Sequence, residues 1–507
     1  MRRLSPALLA LSAVTALLPF VVPAGAATGA DAGRGPKPGS AAYWQRDAQN
    51  IADAYGRQTA PDGQRSPTYF QAVAGQFGRL WADQLFGMSA EPTRPPLDPG
   101  QLVPGWNGGN PYRATWSGHR GLMQEVRYTN LYGALVTGDV WAPLPGARDP
   151  YTHERLRPPY PGVVITTGSI QGSERMYWWL AQDLAERGYV VMTYDVQGQG
   201  RSETLPHGGP VADLPYCSLT DPSRPGEDSP CPGVPFQQTS NFVYGTEDAI
   251  DFFVSTPHHP ANRRDSGSAD LTPYNPFWRL FDRSRDRASA TPGRHLRLGI
   301  VGHSLGATAV SYVQAVDPRV EAVVALDKLS SSPGFDALGK MRPVVPALGV
   351  QSEYGFNVWP YFMSGGSSFA GQPGSPSERP DPEREAKTGY DAWTKAGVDS
   401  MVVVPRASTH LEYTDIPWVL PASRYGQDLA SVYTQAWLAK YLKHDPSADA
   451  ALLGTRWRYL EPVDVGKWRP VTLRRGERLS FYYCSGYRFH RSSGALVHDD
   501  DIAGVGC

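Results

Sequence analysis

The sequence predicts an α/β fold: a doubly wound, mostly parallel sheet with an N-terminal helical segment, two loop insertions and a small β-rich C-terminal appendage. Three observations predict it. From about residue 122, short apolar runs alternate with stretches of helical periodicity, the pattern of strand–helix–strand units. Most of those runs are apolar throughout, as strands covered on both faces are. One of them runs straight into Gly302-His303-Ser304-Leu305-Gly306, beyond which helical spacing begins at once.

The elements follow in order. Arg2 and Arg3 precede an apolar run over 8–22 and the small residues Ala24-Gly25-Ala26. This reads as an export signal cleaved near Ala26, which sends the mature chain out of the cell. The paired arginines leave twin-arginine export open beside the general route. Residues 28–39 form a low-complexity linker. Helical spacing then covers 41–57 and 67–86, where Trp44, Tyr55, Phe70, Phe77 and Trp81 read as packing against the main body. A proline- and glycine-rich connection spans 92–111. Strands are expected at 122–128, 134–141, 162–167, 189–194, 296–301, 320–326, 344–350 and 400–404, and helices at 176–187, 307–316 and 425–442. Two polar, proline-rich stretches, 196–242 and 257–293, interrupt this rhythm; a lid over a cleft and plain surface loops are both open for them. From about 455 the tail has short aromatic and β-branched runs. The expected division is therefore a signal over 1–26, a linker and helical segment over 27–112, a catalytic domain over 113–450 and an extension over 451–507.

Composition narrows the function classes. The 507 residues carry 48 Lys and Arg against 49 Asp and Glu, a formal net charge of −1, so the basic excess of a nucleic-acid binder is missing. Beyond the signal, no run is apolar enough to span a bilayer. The 53 glycines and 47 prolines indicate many turns and long loops. The four cysteines are Cys217, Cys231, Cys484 and Cys507; an even number in an exported chain suggests two disulfides, and proximity favours Cys217–Cys231 and Cys484–Cys507 among the three pairings. The close Cys/His pairs of a zinc site are absent.

The chemistry centres on Ser304. A strand that ends, turns sharply and starts a helix leaves the residue at the apex exposed in a strained conformation, and the flanking glycines let strand and helix approach closely. A serine there also faces a helix N-terminus, which favours a developing oxyanion. A serine hydroxyl needs a base. His410 is the best placed of the eleven histidines, on a loop between the last core strand and the final long helix. His303 reads as structural, and His258 and His259 as surface residues. A third group must orient His410. Asp327 and Glu353 each follow a strand and each preserve the order serine, acid, histidine, so spacing leaves both open. Asp195 ends a strand as well, but its role is to hold the turn 195–202. Oxyanion donors are expected from the backbone of Leu305 and, in the glycine-flanked loop 168–172, of Ser169.

These residues resemble a known group. Gly302-His303-Ser304-Leu305-Gly306, Ala325-Leu326-Asp327, Ser352-Glu353-Tyr354 and Ser408-Thr409-His410 are similar to motifs of the α/β-hydrolase superfamily. Within it they resemble the secreted or lipoprotein-associated platelet-activating-factor acetylhydrolases and related bacterial esterases. The resemblance covers the second half of the core and implies the α/β-hydrolase fold, with Asp327 as the triad acid. Cutinase-type polyesterases share the elbow but take their acid after the following strand, which keeps Glu353 in view; dienelactone hydrolases use cysteine where this chain has Ser304. The helical segment, the insertions and the tail have no counterpart in that resemblance, and substrate does not carry over.

The resulting expectation is a secreted serine esterase that acts on a small-molecule or polymeric ester through an acyl-enzyme, with no metal or organic cofactor. A serine peptidase or amidase using the same groups is the alternative within this chemistry. A binding protein that kept the fold without the activity is the alternative outside it.

Overall fold

Each expected strand forms, with ends displaced by at most a few residues. The computed structural model describes residues 35–37, 39–90, 108–131, 133–169, 172–203, 239–261, 270–331, 341–356, 358, 360, 381–383, 389–415 and 423–507. The strands are β1 (Gly121–Thr129), β2 (Leu135–Pro143), β3 (Gly162–Thr166), β4 (Val190–Tyr194), β5 (Leu298–His303), β6 (Val320–Leu326), β7 (Ala347–Val350), β8 (Ser400–Val403), β9 (Arg456–Asp464), β10 (Lys467–Arg474), β11 (Gly486–His490) and β12 (Leu496–Asp499). The helices are α1 (Ala41–Thr59), α2 (Pro67–Ala90), α3 (Trp178–Glu186), α4 (Thr239–Val254), α5 (Leu305–Val316), α6 (Tyr390–Ala396), α7 (Tyr425–Leu442), α8 (Ala448–Leu453) and the single turn α9 (Arg475–Arg478).

Ten strands form one sheet in the order β1-β2-β4-β3-β5-β6-β7-β8-β11-β12. The six from β4 to β8 run parallel, and antiparallel pairs close both edges. Alternate residues along each central strand enter different cores, which is why these strands read as unbroken apolar runs. Val163, Ile165, Val191, Val301 and Val324 join one cluster with Trp179, Trp437 and Leu438 of α3 and α7. Val164, Val190, Met192, Ile300 and Val323 join the other, with Phe252 of α4, Val310 of α5 and Trp393 of α6.

Three features depart from the sequence reading. The tail, expected as an appendage, is partly built into the body: β11 pairs with β8 and extends the main sheet, leaving only the β9–β10 ribbon apart. Its Trp457, Tyr459, Leu473, Leu479 and Phe489 belong to the first core, because a ribbon this short has no apolar interior of its own. Helix α4 begins inside the stretch taken as the first insertion, and α6 was not foreseen; its seven residues are too short for periodicity to reveal. The segment 1–26 and the pair Cys217 and Cys231 lie outside the described residues. Cys484 and Cys507 form a disulfide. Among the described residues no helix is long and apolar enough to cross a membrane.

The N-terminal segment is helical as expected. Ser40 caps α1 by accepting from the Tyr43 N–H. Its buried side chains, Tyr43, Asp47, Asn50, Ala54 and Gln58, recur every three or four residues along one face. Tyr43 and Ala54 pack with Tyr354, Val404, Ala407, Tyr482 and Tyr483, so α1 covers the loops beyond β7 and β8 and part of the tail.

Candidate active site

Ser304, Asp327, Glu353 and His410 follow β5, β6, β7 and β8, four neighbouring parallel strands. All four therefore emerge at the carboxyl edge of the sheet, where ligands bind in open α/β folds.

Only Ser304 separates the last residue of β5 from the first of α5. Its backbone sits at φ 55°, ψ −120°, a region that costs a non-glycine residue about 1–3 kcal/mol. The Ser304 N–H donates to the Leu326 carbonyl at 3.0 Å, which ties the elbow to the end of β6. The glycine spacing is steric. A Cβ on Gly302 would lie 2.1 Å from the Gly306 carbonyl oxygen, and one on Gly306 2.4 Å from that of Thr167. The serine is half-buried.

The His410 Nδ1–H donates to Asp327 Oδ2 at 2.5 Å. The same oxygen accepts from the Ser352 hydroxyl at 2.7 Å, and Oδ1 accepts from the Ser352 N–H at 3.1 Å. Burial pushes the Asp327 carboxyl upward, but the hydrogen bonds from His410 and Ser352 and the charge of a protonated His410 outweigh it and leave the group below its ordinary value. With Nδ1 acting as donor, Nε2 is the basic nitrogen of His410. The His410 backbone is anchored by donation from its N–H to the Gly355 carbonyl at 2.6 Å. Beside the imidazole, 5.5 Å between ring centres, stands Phe356, 36% exposed and an apolar edge to the site.

Glu353, the other expected acid, is turned elsewhere. Its Oε2 accepts from Asn50 Nδ2 of α1 at 2.8 Å and from the Ala407 N–H at 2.6 Å. Its own N–H donates to Ser408 Oγ at 3.0 Å. Burial raises its carboxyl above the ordinary value. Glu353 thus fastens the loop that delivers His410 and makes no bond to the imidazole itself.

His303, read as structural, lies with its ring 4.7 Å from that of His410. Its Nε2 faces the His410 carbonyl at 2.9 Å and its Nδ1 the Tyr177 hydroxyl at 2.8 Å. A carbonyl only accepts, so Nε2 carries the proton and Tyr177 donates to Nδ1. The Tyr177 oxygen in turn accepts from the Gly168 N–H at 2.9 Å. Burial, assisted by His410, drives the His303 imidazole down to about 3, so it stays neutral. One chain of bonds therefore joins the His410 backbone to the loop after β3. Nothing in the sequence singled out Tyr177; the position of His303 beside the serine was the available signal.

The backbone of that loop passes close to the serine: a Cβ on Gly168 would sit 3.1 Å from Ser304 Cβ. Ser169 follows, and Leu305 opens α5, so its N–H has no intrahelical acceptor. Neither N–H has a hydrogen-bond partner among the described residues. Two unpaired donors flanking a strained serine are suited to receive a developing negative oxygen. Among the described residues, no three His, Cys, Asp or Glu side chains are grouped to hold a metal ion.

No protein-family model matches the chain, and no curated protein does. Among solved structures, a ferulic acid esterase from Streptomyces cinnamoneus aligns over 64% of this chain and 89% of its own, at 16% identity and a TM-score of 0.37. A likeness at that level carries no functional argument.

Proposed function

We propose that the protein is a secreted serine hydrolase of the α/β-hydrolase type that cleaves carboxylic esters, with Ser304 as nucleophile, His410 as base and Asp327 as orienting acid. The observation that carries the reading is the 2.5 Å Asp327–His410 bond, set at the same sheet edge as a serine in a strained elbow. The Cys484–Cys507 disulfide and the N-terminal pattern of the sequence support an oxidising destination outside the cell.

Ser304 Oγ attacks the acyl carbon while His410 Nε2 takes the hydroxyl proton. Asp327, held as a carboxylate by Ser352, fixes the tautomer and stabilises the imidazolium. The carbonyl oxygen becomes an oxyanion between the N–H groups of Ser169 and Leu305. His410 then gives its proton to the leaving alcohol, and the C–O bond breaks to leave an acyl-serine. A water molecule, deprotonated by His410, attacks that ester; the acid departs and Ser304 recovers its proton. Every step moves protons and acyl groups alone.

The test is labelling by a fluorophosphonate, together with turnover of p-nitrophenyl esters of increasing acyl length and of one peptide anilide. Labelling that vanishes in Ser304→Ala, with ester turnover well above anilide turnover, supports the esterase. Faster anilide turnover makes the protein an amidase. An unlabelled, inert wild type refutes the hydrolase reading.

A further inference from the structure

The turn 195–202 plays no part in the chemistry above, yet its Gln199 side chain is fully buried against the loop that holds Ser169. Gln199 Nε2 donates to the Gly168 carbonyl at 3.1 Å, and Gln199 Oε1 accepts from the Gly172 N–H at 3.3 Å. One carboxamide thus bridges Gly168 and Gly172. The ends are also in direct contact: a Cβ on Gly172 would fall 2.2 Å from the Gly168 oxygen and 2.5 Å from Gln199 Nε2. Glycine at 172 is what lets the amide lie against both residues.

The amide is held firmly from behind. Asp195 Oδ2 accepts from the Arg201 N–H at 2.8 Å, and Asp195 Oδ1 accepts from the Glu174 N–H at 2.7 Å, just past the loop. Gly200 adopts φ 52°, and a Cβ there would meet the Asp195 carboxylate at 2.3 Å. The Gln199 N–H and carbonyl complete the turn with Val196 and Ser202. The Gly168 N–H is already given to Tyr177. Both polar groups of the Gly168 peptide neighbours are therefore committed, and the next donor along the chain, the Ser169 N–H, remains for a ligand.

We propose that Gln199 is a positioning residue for the oxyanion: by clamping Gly168 to Gly172 it holds the Ser169 N–H toward the oxygen that becomes negative on attack by Ser304. The inference rests on the serine-hydrolase reading. It assigns the Asp195–Ser202 turn a part in the reaction that Asp195, as a turn-holder, does not describe. A donor held in advance stabilises the transition state without tightening the ground state, so loss of the clamp falls on kcat.

The experiment compares wild type with Gln199→Met, which keeps the shape and removes both bonds, and Gln199→Glu, which keeps the shape and titrates. The readouts are kcat and KM for a p-nitrophenyl ester, inhibition by a trifluoromethyl ketone whose adduct bears an oxyanion, and thermal melting. In Gln199→Met, kcat falls about tenfold to a hundredfold with KM nearly unchanged, less than the loss on deleting an oxyanion donor outright. The ketone weakens by a similar factor. In Gln199→Glu the deficit widens as pH rises, because an ionised carboxylate opposes the Gly168 carbonyl; this arm decides the matter if Gln199→Met fails to fold. Ketone affinity equal to wild type in a folded variant, or a deficit in Gln199→Glu that ignores pH, overturns the clamp. If wild type neither turns over ester nor binds the ketone, the serine-hydrolase reading falls and takes the clamp with it.

Discussion

Replacing Asp327 with asparagine keeps the side-chain volume but changes which atoms donate. The carboxylate accepts three hydrogen bonds: from His410 Nδ1 and the Ser352 hydroxyl on Oδ2, and from the Ser352 N–H on Oδ1. An amide has one acceptor side. If its oxygen takes the Oδ2 place, the NH₂ faces the Ser352 N–H, donor against donor in a buried site. If the amide turns round, its oxygen receives the Ser352 N–H and the Ser352 hydroxyl rotates to accept. The NH₂ then points at Nδ1, which is satisfied only if His410 moves its proton to Nε2. The second arrangement leaves no unpaired group, and it removes the base. The loss expected for a wrong tautomer is about 10⁴ in kcat, or about 5 kcal/mol of barrier at about 1.4 kcal/mol per tenfold. KM stays within about threefold, since binding does not use the proton. The assay is steady-state turnover of p-nitrophenyl butyrate, with circular dichroism to confirm folding and Glu353→Gln as the matched control. A folded Asp327→Asn that loses less than tenfold, or a Glu353→Gln that loses as much as Asp327→Asn, would refute the assignment.

Three further outcomes follow from the same structure. Ser304→Gly abolishes turnover yet raises the melting temperature, because glycine adopts φ 55° without the strain that serine stores there; a lower melting temperature would remove the elbow as a site of stored strain. Glu412 is buried, and desolvation pushes its carboxyl up to about 7 despite bonds from Ser423. A raised folded value means that the native state binds the extra proton, so this contribution is complete below about 4.5 and is lost as pH climbs through about 7. Wild type should therefore lose more thermal stability between about pH 5 and pH 8 than Glu412→Gln, and parallel pH profiles would contradict this. Reducing Cys484–Cys507, or Cys507→Ser, opens a link between residues 23 apart and costs up to about 3 kcal/mol, read by guanidinium unfolding. Turnover at low temperature should persist, because neither cysteine touches the site.

Much of this was legible from local chemistry. The central strands announced themselves because both faces are buried, and a strand such as β3 is apolar up to its last residue, Thr166. Ser304 was legible because its glycine neighbours answer a steric demand within five residues. The choice between Asp327 and Glu353 was not, since both follow strands in the required order. What separates them is a bond to His410 from 83 positions away, against one from Asn50 to Glu353 across 303. Tyr177 and Gln199 were invisible for the same reason, as each works through partners that only the sheet brings near. Helix α4 was obscured by the polar stretches on either side, and β11 by lying beyond the last parallel strand, where no local signal says which edge a strand will join.

The fastening of the His410 loop has a consequence for when activity appears. Glu353 reaches the loop at Ala407 and back to Asn50 in α1, while Asp47 of α1 accepts from Tyr482, 435 positions later. A helix and a segment made 435 positions after it thus close around one loop. A nascent chain can pair β5 with β6 and form its elbow before Tyr482 is made, but the brace on the His410 loop waits for that residue. Closing contacts of such separation is slow compared with forming a helix or a hairpin. On the proposed function, competence dates from the moment α1 and the Tyr482 segment meet around the His410 loop.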